Sequence, residues 1–290
     1  MRQLSPIGIW SRQLRFGDPA QALDAAAELD ELGYGALWIP DVGGPVLETV
    51  ARLLEATRRA VIATGILNVW MHEAAAIAEG HAAIEREHPG RFLLGLGISH
   101  APIVNAEEPG RYQRPLATMR AYLDALDAAA PTVPRPARVL AALGPKMVEL
   151  AGERTLGIHP YLVPVEHTAL VRRALSADRI VAPALSVILE HDPERARAIA
   201  RDDLELYLGL PNYTNTWRRL GFTDADLGGG GSERLIDALY AWGSTDRIAE
   251  RVREHHEAGA DHVCLRVITA RPDDAVWLPL TEWRELAALV

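Results

Sequence analysis

Short runs of apolar and β-branched residues alternate along the chain with longer segments whose apolar positions recur at helical spacing. IGIW at 7 to 10 precedes a helical segment over 18 to 33, which Asp18 can cap, Pro19 opens and Gly33 ends. GALWIP (35 to 40) leads into a helix near 46 to 59, and AVIATGI (60 to 66) into one near 73 to 88. RFLLGLG (91 to 97) precedes 111 to 129, and ARVLAAL (137 to 143) precedes 145 to 153. GIHPYLV (157 to 163) is followed by 166 to 176, and RIVAPALSVIL (179 to 189) by a helix headed Asp192-Pro193. GADHVCLRVI (259 to 268) comes last, after a helix that Ser244 can cap and before a closing helix near 280 to 289. Apolar strands between amphipathic helices predict a parallel sheet covered on both faces. Eight strand-helix units in a chain of this length fit a closed (β/α)8 barrel, read as a single domain over 1 to 290. Residues 205 to 243 are surplus to that plan, an insert after strand seven containing GGGGS at 228 to 232. That glycine run reads as a flexible surface turn or as a flap over the barrel mouth.

Composition narrows the function classes. Hydrophobic residues are 49% of the chain, which supports a large core. No apolar stretch nears the ~20 residues of a membrane helix, and the start has no export-type apolar region, so the expected location is the cytoplasm. A net charge of −9 without a basic stripe argues against a nucleic-acid partner. The one cysteine, Cys264, sits in an apolar strand and reads as inert packing. No His-x-His at a strand end and no HExxH is present, so no metal site is expected; His72, His81 and His88 read as a solvated helix face.

In a (β/α)8 barrel the chemistry gathers where strands end. Those positions hold Trp10 and Ser11, Asp41, Asn68 with Trp70, Ser99 with His100, Gly144 with Lys146, and the residues around Pro164. Gly95-Leu96-Gly97 could begin a dinucleotide fingerprint, but His100 stands where its third glycine belongs. These glycines are instead expected to admit a flat ligand or a helix. Gly144, Pro145 and Lys146 open a helix whose free N–H groups suit an anion. Trp10 and Trp70 could wall a planar ligand, whereas Trp38, one residue further inside, is expected to pack.

LGYGALWIPD, ATGILNVW, HPGRFLLGLGISH, LAALGPKMVELAGE and EAGADHVCLRV together resemble the luciferase-like monooxygenase superfamily, in particular its deazaflavin (coenzyme F420)-dependent oxidoreductases. The resemblance implies a deazaflavin or flavin across the strand ends, with a non-proline cis peptide at Gly65-Ile66, or in the alternative register at Thr64-Gly65, bulging toward the ring. Asp41 and Asn68 match positions that bind the ring or its ribityl chain, and Gly144, Pro145 and Lys146 match the loop that receives the phosphate. Members are commonly homodimers. The superfamily's sugar-phosphate dehydrogenases have Asp-His at the end of strand two and a glutamate at the position of His100; here Asp41-Val42 and His100 stand there. His100 is therefore the candidate proton-transfer residue, poised near neutrality. The expected activity is F420-dependent hydride transfer at C5 to or from a small organic substrate. The alternatives are an FMN monooxygenase using O2 and a non-catalytic flavin-binding protein.

Overall fold

A computed structural model describes residues 4–270 and 276–290. Eleven strands form one parallel sheet: β1 (Ile7–Trp10), β2 (Ala36–Ile39), β3 (Val61–Thr64), β4 (Leu67–Asn68), β5 (Phe92–Gly97), β6 (Arg138–Leu140), β7 (Gly157–Ile158), β8 (Ile180–Val181), β9 (Ala184–Ile188), β10 (Tyr240–Trp242) and β11 (Val263–Val267). β1 pairs with both β2 and β11, and the order continues through β3, β5, β6 and β7 to β8. β8 and β9 are halves of one barrel strand broken at Pro183. The first half pairs with β7 and the second with β11. Between them the Ala184 N–H donates to the Pro160 carbonyl at 2.9 Å, and Tyr161 bridges to Ala184. The ring of eight strands is thereby closed, as the alternating pattern predicted.

The strands are buried along most of their length because helices cover their outer faces, and Trp38 fills the interior, fully buried and stacked on His159 at 4.0 Å. Asp18 caps Pro19–Glu31 through the Gln21 N–H at 3.0 Å, and Asp192 caps Pro193–Leu208 in the same way. Cys264 lies buried in β11, where burial pushes its thiol up.

Several elements escaped the sequence pattern. The run at 60 to 66 forms only β3, and a second short strand, β4, follows it after Gly65-Ile66. A helix at Ala101–Glu107 directly follows His100. In the 205 to 243 region, helices Pro211–Arg219, Asp224–Leu227 and Glu233–Leu239 build an apolar cluster around Leu204, Trp217, Leu235 and Ile236. β10 then extends the sheet beside β9, pairing Tyr240 with Ser186. The glycine run is a built turn: Gly229, Gly230 and Gly231 have φ of 59, 80 and 97°, and Gly231 donates to the Gly228 carbonyl at 3.0 Å. A side chain at any of the three would be strained. Among the described residues, no helix is long and apolar enough to cross a membrane.

Candidate active site

The mouth is organised around the break between β3 and β4. The Gly65-Ile66 peptide is cis, the first of the two registers that the family resemblance implied. β5 comes unusually close to this segment: a Cβ on Gly95 would lie 2.0 Å from the Thr64 carbonyl oxygen, and one on Gly97 would lie 2.3 Å from Ile66 Cδ1. These glycines were expected to admit a ligand or a helix; what they admit is the chain itself at Thr64 to Ile66. Thr64 ties the approach, its hydroxyl donating to the Gly95 carbonyl at 2.8 Å and accepting the Gly95 N–H at 2.9 Å. From β1, the Trp10 indole N–H donates to the Gly65 carbonyl at 2.7 Å. A Cβ on Gly65 would meet Trp10 Nε1 at 2.8 Å and His159 Nε2 at 3.0 Å, so only glycine fits.

Asp41 ends β2 and is a hub, its side chain fully buried. One carboxylate oxygen accepts from Arg15 Nη2 and the Gly43 N–H, each at 3.4 Å; the other accepts from the Asn68 N–H at 3.1 Å and from His72 Nε2 at 2.7 Å. Those four contacts occupy the lone-pair sites of a carboxylate, so Asp41 braces its neighbours rather than offering a free acceptor. Arg15 sits almost wholly buried beside it, its pKa lowered by burial against the opposing pull of Asp41. The solvated face expected for the histidines is corrected here. His72 belongs to the Asp41 hub, and His81 is buried, its ring 5.3 Å from Phe92. The Asp-His pair absent from the sequence at 41–42 is assembled in space from two loops. Asn68 holds the Trp70 N–H through Oδ1 at 3.2 Å, while Trp70 donates to the Ile98 carbonyl and packs against Tyr112.

Ser99 adopts a φ of 56°, and His100 opens the short helix behind it. The imidazole faces the Tyr213 ring at 5.2 Å and contacts the Asn212 amide at 3.1 Å. Burial pulls its pKa down to about 4. A histidine poised near neutrality was expected; this one is neutral at pH 7 and a weak base, because it left water without gaining a carboxylate.

Gly144 and Pro145 begin the helix Pro145–Arg154 after β6. Arg219 lies beside them, its Nη2 3.9 Å from where a Gly144 Cβ would be. Lys146 is exposed and makes no ion pair among the described residues. Of the opposite wall, only Trp10 was visible in the sequence. Trp10 stacks on Tyr161 at 5.9 Å, and the Tyr207 hydroxyl donates to that of Tyr161 at 3.2 Å. Arg266 stands over both Trp10 and Tyr161 while paired to Asp203 at 2.8 and 2.5 Å. Tyr207, Asn212 and Tyr213 come from the 205 to 243 segment, which could be read as a surface turn or a flap over the mouth but whose sequence carries no recognisable signature. Among the described residues no group of His, Cys, Asp or Glu is placed to hold a metal.

Asn68 pairs with Gly97 in the sheet, His100 follows Gly97 by three residues, and Lys146 follows the β6 residue paired to Leu96. The candidate residues thus share one end of the barrel. Residues 4–262 match the family described as luciferase-like monooxygenase. The chain belongs to the luciferase-like monooxygenase family.

This luciferase-like chain is 25% identical over 162 residues to a Mycobacterium tuberculosis protein provisionally named a coenzyme F420-dependent oxidoreductase. The match covers 56% of this chain and 45% of that protein, so it spans less than half the length of that curated relative. Solved structures show the same fold at low identity. An F420-dependent secondary alcohol dehydrogenase in complex with an F420-acetone adduct has a TM-score of 0.71 at 15% identity, covering 99% of this chain and 98% of its own. The coenzyme F420-dependent tetrahydromethanopterin reductase of Methanopyrus kandleri gives 0.68 at 16%, covering 98% and 97%. The FMN-bound oxygenating constituent of 3,6-diketocamphane monooxygenase from Pseudomonas putida gives 0.67 at 16%, covering 99% and 98%.

Proposed function

We propose that the chain is an F420-dependent oxidoreductase that exchanges a hydride with a small organic substrate at the barrel mouth. The observation that carries the reading is the convergence of Asn68, His100, the Gly65-Ile66 segment and the Gly144–Lys146 turn on one end of the barrel. The donor set suits such a ligand. Trp10, Tyr161 and Trp70 offer flat apolar walls, while Asn68 and the main chain offer a few polar anchors. Beyond them the helix N-terminus at Pro145, with Lys146 and Arg219 nearby, offers positive potential for a phosphate.

Bound F420 would supply a hydride donor or acceptor at C5. The chain's part is to position, to exclude water and to manage protons. Gly65, Ile66 and Asn68 would bear against the ring system, and Ser99 would line the edge beside His100. Gly144, Pro145 and Lys146 would take the phosphate. Asp41 holds Asn68 and His72 in place. His100, neutral, serves as a hydrogen-bonding group.

Parallel titration with F420 and FMN tests the reading. Sub-micromolar F420 binding (~8 kcal/mol or more), with FMN at least tenfold weaker, supports it. The reverse preference with O2 consumption would assign the chain to the FMN monooxygenases. Tight binding of either without turnover of any acceptor would make it a carrier.

A further inference from the structure

Asn212 reaches the end of β5 from the helix Pro211–Arg219, 112 positions further along the chain than His100. Its Nδ2 lies 3.1 Å from His100 Nδ1, 3.4 Å from the Ser99 carbonyl oxygen and 3.5 Å from the Tyr112 hydroxyl. A carbonyl only accepts, so the group that faces Ser99 is the amide nitrogen and not the amide oxygen. One amide N–H then serves Ser99, and the other serves His100 Nδ1, which must present a lone pair. The imidazole proton is left on Nε2. That atom has no partner among the described residues and is not sealed from solvent.

The surroundings keep the ring in that state. Asn212 and Tyr213 face it from the inserted helix, and Tyr112 reaches Asn212 from the loop before Pro115–Ala128. No carboxylate or guanidinium shifts its titration; burial alone favours the neutral form.

We propose that Asn212 is a positioning residue that locks His100 as the Nε2–H tautomer, a neutral donor aimed at a carbonyl oxygen of the substrate. This rests on the hydride-transfer reading above and narrows the substrate to ketones, aldehydes and enones. In the reducing direction a hydride from reduced deazaflavin adds to the carbonyl carbon, and the C=O π pair moves to oxygen. The Nε2–H stabilises the charge forming there, and water then protonates the oxygen. A neutral imidazole is suited to this part: it polarises the carbonyl while keeping its own proton.

The test has two arms. In the cofactor-free protein, 15N NMR of His100 should show the Nε2–H tautomer, unprotonated at pH 5. In Asn212→Asp a carboxylate accepts from Nδ1–H, so the tautomer should invert and the pKa rise by more than one unit. In the second arm, with F420 bound, reduction of cyclohexanone, cyclohexenone and benzaldehyde is followed. Asn212→Asp should lower kcat at least tenfold with KM changed less than threefold and should move the pH profile, while Asn212→Gln, which restores a donor, should recover part of the rate. An Nδ1–H tautomer in the wild type, or an unchanged tautomer in Asn212→Asp, overturns the proposal, as does failure to reduce all three carbonyl compounds when F420 binds tightly. If the NMR arm holds and F420 does not bind, the cofactor reading is what falls.

Discussion

At the scale of single residues, the Asp41 carboxylate is the most constrained group at the mouth. It is fully buried and gathers one guanidinium from the helix Gln13–Phe16, one imidazole from the loop after β4, and the main-chain N–H groups of Gly43 and Asn68. Removing it strands the Arg15 charge, whose side chain is 2% exposed and whose Nε and Nη1 already lack partners among the described residues. Breaking a buried pair in this way costs about 3 to 5 kcal/mol, softened here by the carbonyls of Gly43 and Gly44, which also accept from Arg15. Asp41→Ala should therefore lose ~3 kcal/mol in urea unfolding and loosen the Asn68 turn. A loss under ~1 kcal/mol, the range of exposed pairs, would show that the hub is not structurally coupled. Asp41 was legible in the sequence as a strand-end acid, but its partners were not. His72 reads as one of three histidines along a polar stretch, and only the folded loop carries it to 2.7 Å from the carboxylate.

At the scale of elements, the strands were legible because each is a continuous apolar run bounded by turn residues, the pattern of a sheet buried on both faces. What escaped had no such pattern. β10 is three residues long, and Ala101–Glu107 carries a proline in its first turn and only one buried side chain, Val104. The helices of the 205 to 243 region show apolar positions, yet which strand end they reach depends on contacts over 100 residues apart. In the proposed reading, the helix Pro145–Arg154 is the element that would bear most directly on ligand binding. Lys146 adds a charge at a positive helix end without holding any part of the fold together. Lys146→Ala should weaken F420 binding roughly tenfold, about 1.4 kcal/mol, with the urea midpoint unchanged. An unaltered F420 affinity, measured by calorimetry, would place the phosphate elsewhere.

At the scale of the whole molecule, burial of histidine sets the pH response. Six of the ten, His81, His100, His159, His167, His255 and His262, have pKa values lowered mainly by burial, to about 4 for His100, His159, His167 and His262 and about 3 for His255. The folded state holds these rings neutral, whereas the unfolded chain takes up protons below ~6.5. Their contribution is fully present above pH 6.5 and is lost as pH falls toward 4, by up to about 1.4 kcal/mol per pH unit for each ring. The urea midpoint should therefore drop steeply between pH 6.5 and 5. A flat midpoint over that interval would mean that the rings are protonated in the folded state.

All of these scales meet in one claim, that the strand ends of the barrel hold a single deazaflavin. Crystals grown with F420 test it most directly. The account predicts the ring system against Gly65-Ile66 and Asn68, with the phosphate at Gly144–Lys146 and His100 Nε2 facing the space left for substrate. F420 bound anywhere else on the molecule, or spanning the mouth with its phosphate turned away from Lys146, would contradict it.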